Sequence, residues 1–182
     1  NLRVGFGTNN QPTGLVAMPG DIINVYVDVD SSDKLPSVVF SQQEAAWNVW
    51  ASGVKLRPGK NTITVPVFQK NGYYAHDVTQ GGTVYIVNPY TAEEQGKAPS
   101  IRFEGLEKIP FMTKDTDPEQ FKAFLTTYKQ RLDADKAAHP NVLDRQLIDV
   151  VEVVSEHVIF TGTATEAYNK FITQGHNPMD TV

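Results

Sequence analysis

PTGLVAMPGDIINVYVDV, residues 12–29, is the stretch whose reading decides the fold. Pro19-Gly20 marks a turn, and a strand of regular alternation follows it. Ile23, Val25, Val27 and Val29 fall on one face, while Ile22, Asn24, Tyr26 and Asp28 fall on the other. Side chains that leave alternate faces every two residues are what a half-buried antiparallel strand requires. β-branched residues fill the apolar face, where their stiff χ1 costs least.

Outward from this strand, residues 1–108 read as short strands separated by turns. Strands are expected near Leu2–Phe6, Gly14–Met18, Ser37–Ser41, Thr62–Phe68, Thr83–Val87 and Ser100–Glu104. Turns are expected at 57–61 and at Asn71-Gly72, with Pro66 at a sheet edge because proline cannot donate to a ladder. Residues 42–52 suit either a short helix or a large loop. Many short strands with Gly, Pro and Asn between them indicate an antiparallel β-sandwich of jelly-roll type.

The pattern changes after residue 108. Asp117-Pro118-Glu119-Gln120 is a helix start, with a capping residue and proline at the first helical position. Phe121, Phe124, Leu125, Tyr128 and Leu132 form its apolar stripe, and Pro140 should end it. Residues 147–155 and 157–161 are β-branched strand candidates. Thr163 with Glu166 opens a second helix closed by Gly175. Residues 109–182 are therefore read as an α/β segment with two helices, the start of a larger domain. Asn177-Pro178 looks like a further helix start at which the chain breaks off.

Composition excludes several functions. Net charge is -5 with no basic run, so nucleic-acid binding, which needs clustered cations, is not expected. No apolar run reaches the roughly 20 residues of a membrane span. There is no cysteine, hence no thiolate ligand or nucleophile. His76, His139, His157 and His176 include no H-E-x-x-H pair, so no catalytic or metal residue is assigned. Asp28, Asp30, Ser32 and Asp33 fail the calcium-loop pattern, Gly81-Gly82 reads as backbone freedom, and Glu93-Glu94 as a solvated pair. Trp47, Trp50, Tyr73 and Tyr74, in or near loops with Tyr90, are the candidate glycan or partner contacts. At i, i+3 spacing, however, Trp47 and Trp50 more often plug one end of a sandwich core.

Four segments resemble the enhancin-like zinc metallopeptidases, which include viral enhancins and bacterial mucin-degrading peptidases. They are PTGLVAMPGDIINVYV (12–27), GGTVYIV (81–87), SIRFEGLEKIPFM (100–112) and SEHVIFTGTATEAY (155–168), in the family's order. The resemblance implies an N-terminal, non-catalytic portion of a secreted or surface peptidase acting on mucin-type glycoproteins. Zinc is then expected in the full-length protein and none in this portion, which should be inactive alone and partnered by the remainder of its own chain. A different class is also open: a stand-alone glycan- or protein-binding β-sandwich module, or an adhesin-like domain.

Overall fold

The structure is a computed structural model that describes residues 10–29, 34–42, 49–50, 53–66, 82–91, 93–94, 98–141, 144–155 and 158–181. Two compact units divide in sequence between Glu107 and Lys108. The first contains β1 (Asn10–Ala17), β2 (Ile22–Asp28), β3 (Ser37–Gln42), β4 (Val49–Trp50), β5 (Val54–Lys55), β6 (Gly59–Thr64), β7 (Gly82–Val87) and β8 (Ser100–Glu104), with β9 (Glu107–Lys108) at the division. One sheet runs β4-β3-β7-β1-β9, with β5 also on β3; the other runs β6-β2-β8.

The opening motif takes its shape from one irregularity. Pro12 cannot donate to the ladder with β7, and the register shifts between Pro12 and Val16. Gly14 adopts φ 68° there, a conformation costly for a residue with a Cβ. The Thr13 hydroxyl donates to Val84 O at 2.7 Å and so reconnects the bulged strand to β7. Pro19-Gly20 then carries the chain from one sheet to the other. Gly20 sits at φ 84°, Asp21 N donates to Met18 O, and Met18 N donates to the Asp21 carboxylate.

The alternation expected of β2 is observed: Ile23, Val25 and Val27 are buried while Ile22 is 68% exposed. They share one apolar cluster with Val38 and Phe40 of β3, Ile63 of β6, and Val84 and Ile86 of β7. Both sheets thus contribute one face to the same core, the two-layer solution open to half-buried sheets. The turn expected at 57–61 is shorter, because β6 already begins at Gly59. Asn61 is buried in that strand and its amide donates to Arg57 O, Gly59 O and Val25 O. Pro66 lies beyond the end of β6 rather than within a strand. The expected strand at Leu2–Phe6, the 71–72 turn, the 43–48 part of the helix-or-loop stretch, and His76 and His157 lie outside the described residues.

The second unit contains β10 (Phe111–Thr113), α1 (Pro118–Ala138), β11 (Val151–Val154), β12 (Ile159–Gly162) and α2 (Ala164–Tyr168). A π-helical turn (Asn169–Thr173) and a 3-10 turn (Pro178–Thr181) follow. β10 and β11 are parallel and α1 is the crossover such a pair needs; β12 returns antiparallel. Asp117 accepts from Glu119 N and Gln120 N at 2.9 Å each, with Pro118 opening the helix. Asp117→Ala should lower stability by about 0.5–2 kcal/mol, read from the thermal loss of helical circular dichroism, since both α-helices among the described residues lie in this unit.

Phe121, Leu125, Tyr128 and Leu132 form the buried stripe of α1, whereas Phe124 stands at its exposed margin beside Tyr128. The strand expected from residue 147 begins only at Val151. The Asp135 carboxylate accepts from Gln146 N and Leu147 N, and Tyr128 Oη donates to Ile148 O. Side chains of α1 therefore occupy peptide groups that a neighbouring strand would otherwise use.

Candidate functional site

The antiparallel register of β11 and β12 sets Val153 opposite Phe160 and Val151 opposite Gly162. These four positions share one face, which forms the floor of a cavity of about 580 Å³ in the second unit. The Phe160 ring packs close over Gly162: a Cβ there would stand 3.0 Å from the ring, which would have to shift slightly.

Ala167 of α2 and Phe171 of the π-turn supply the wall. Thr163 starts this helix by accepting from Glu166 N, as its capping sequence indicates. The widening to a π-turn, marked by Gln174 N donating to Asn169 O, was not legible in the sequence. The turn carries Phe171, whose ring meets Phe121 of α1 edge-on at 6.1 Å. Gly175 then reverses the backbone at φ 72°, and Asn177 Oδ1 accepts from Met179 N to start the 3-10 turn. His176, Asn177 and Asp180 reach the cavity rim in this way, beside Glu166 and Lys170.

Asp149 fixes the wall from behind. Its carboxylate accepts from Lys136 Nζ at 2.7 Å, Thr165 N at 3.0 Å and Thr165 Oγ1 at 2.7 Å, tying α1 to the first turn of α2. Burial pushes this carboxyl up, but the bonds from Lys136 and Thr165 outweigh it and hold the group below the ordinary aspartate range. Asp135 is similar: burial opposes ionisation, and the Leu147, Gln146 and His139 contacts overcome it. Its side chain is 8% exposed and lies 2.8 Å from His139 Nδ1.

An apolar floor with a charged rim suits an aliphatic or aromatic group carrying a polar end. Among the described residues no three His, Cys, Asp or Glu side chains gather into a metal site, so these side chains do not fit a catalytic metal.

Of the aromatic contact candidates, Trp50 falls in β4 opposite Ser41; Trp47, Tyr73 and Tyr74 lie outside the described residues, as do Gly81 and Asp30, Ser32 and Asp33. Tyr90 donates its hydroxyl to Lys34 O at 2.5 Å. Glu94, read as solvated, instead receives Lys34 Nζ at 2.6 Å. His139 is the C-cap of α1, a role its place before Pro140 suggests, whereas His176 reaches the cavity rim, which its sequence position did not show.

No protein-family model and no curated protein matches the chain. Solved structures do. The catalytic module of the metalloprotease ZmpA from Clostridium perfringens superposes with a TM-score of 0.78 at 33% identity, over 96% of this chain and 33% of that one. This neighbour is an enhancin-like metallopeptidase module, the family that the four sequence segments resemble. The ZmpB metallopeptidase of the same organism matches the chain at 28% identity and TM-score 0.76, over 94% of it and 32% of ZmpB. The M60 catalytic domain of ZmpC, solved in complex with the sialyl T antigen, gives 28% and 0.77 over the same shares. The chain thus spans about a third of the length of these three solved neighbours.

Proposed function

We propose that this chain is a non-catalytic, N-terminal supporting portion of a zinc metallopeptidase that cleaves mucin-type glycoproteins outside the cell or at its surface. One observation carries this reading: 96% of the chain is matched inside the ZmpA catalytic module at 33% identity. Sialyl T antigen bound to the M60 domain of ZmpC supports a glycoprotein substrate.

Zinc, when bound in such an enzyme, activates water and polarises the scissile carbonyl. The described side chains of this chain gather no such site. Its own part is mechanical. The α1 crossover, the Asp135 and Asp149 anchors and the sheet β10-β11-β12 form a braced shelf against which metal-bearing helices can be fixed. Preorganisation of that kind is what keeps reacting groups within the narrow geometry catalysis needs.

The test uses the complete gene product and the 182-residue chain side by side on an O-glycosylated mucin-type protein. Cleavage by the complete product, abolished by chelation and restored by zinc, with none by the 182-residue chain, is the expected result. Zinc-dependent cleavage by the short chain, or a complete product with no H-E-x-x-H helix and no cleavage, overturns the reading.

A further inference from the structure

The sheet of the second unit has an edge that a free-standing domain would normally protect. Among the described residues β12 pairs only with β11, and open strand edges are templates for pairing with another chain. Proteins blunt such edges with charges, proline or bulges. Residues 158–163, VIFTGT, contain no charge and no proline, and the β11–β12 register runs through them without a shift. Val158 is 53% exposed, Ile159 41% and Phe160 61%, with Phe160 on the cavity face and Ile159 on the opposite one. The exposed Ile22 and Val54 of the first unit lie on separate strands.

We propose that the open edge of β12 and the adjoining cavity are a docking face for a further segment of the same polypeptide, which adds a strand to β12 and seats an apolar side chain against Phe160, Val151 and Val153. The inference rests on the reading of this chain as part of a longer peptidase. The relatives favour this occupant: the ZmpA module matches almost the whole of this chain, yet two thirds of that module lies outside the match. Strand addition supplies backbone hydrogen bonds along the edge, and the cavity supplies side-chain selectivity.

Hydrogen exchange at Ile159–Gly162, measured on the 182-residue chain and on the complete gene product, tests it. The amides that β11 does not take should exchange about 100-fold more slowly in the complete product. Phe160→Asp should restore much of the fast exchange there, while leaving the short chain's exchange elsewhere unchanged. Equal exchange in both proteins overturns the proposal. So does a short chain that dimerises by light scattering and is made monomeric by Phe160→Asp, because a second copy is then the occupant. The readout does not depend on proteolysis: protection without mucin cleavage sinks the peptidase reading alone, and cleavage without protection sinks the docking face alone.

Discussion

Phe40→Ala should destabilise the first unit by about 3–5 kcal/mol, the usual cost of emptying a fully buried aromatic site. Phe40 has no exposed surface and belongs to the cluster that both sheets share. The space left behind cannot easily close. Gly82 on the paired strand β7 already approaches Phe40 so closely that an added Cβ would stand 3.1 Å from Phe40 Cβ, and the flanking strands are fixed by their ladders. Both tryptophans, Trp47 and Trp50, precede the division at Glu107. Tryptophan fluorescence in a denaturant titration therefore reports this unit. A midpoint equal to that of the unsubstituted chain would show that the shared cluster does not hold the sheets together.

Acidification should weaken the second unit, and Asp149→Asn should both destabilise it at neutral pH and flatten that dependence. The Asp149 carboxyl titrates below the ordinary aspartate value in the folded chain, so the native state binds its proton less readily than the unfolded one. Its contribution is complete above the unfolded pKa of about 3.9 and is lost as the pH falls through the lower native value. Asp135, also depressed, acts in the same direction and leaves residual acid sensitivity in the variant. Removing the charge while Lys136 and Thr165 remain should cost about 1–3 kcal/mol at neutral pH. Helical circular dichroism across the acid range measures both effects; an unchanged pH profile for Asp149→Asn would remove Asp149 from this account.

The parts legible in the sequence were those governed by neighbours in the chain. The alternation of β2, the Asp117 and Thr163 caps and the stop before Pro140 all depend on residues a few positions apart. The bulge at Pro12–Gly14 was half visible: proline and glycine announce an irregular strand, but the Thr13 bond to Val84 depends on a partner 71 residues away. The cavity was not visible at all. Its floor, wall and rim come from β11, β12, α2, the π-turn and the 3-10 turn, and none of those residue types is unusual in its own segment. The late start of β11 was missed for a similar reason, since Asp135 of α1 takes the amides of Gln146 and Leu147, more than ten residues away. One local cue to the site existed: a strand with no charge and a glycine over which the ring of Phe160 lies.

The placement of β2 between β6 and β8 sets an order on biosynthesis. Its second neighbour is Ser100–Glu104, so the strand emerges from the ribosome long before its sheet can be completed. Until then Ile23, Val25 and Val27 have only part of their cover, and pairings this distant in sequence form slowly and expose nascent chains to aggregation. Pauses in translation or a holding chaperone would matter most after β2 has emerged and before β8 has left the exit tunnel.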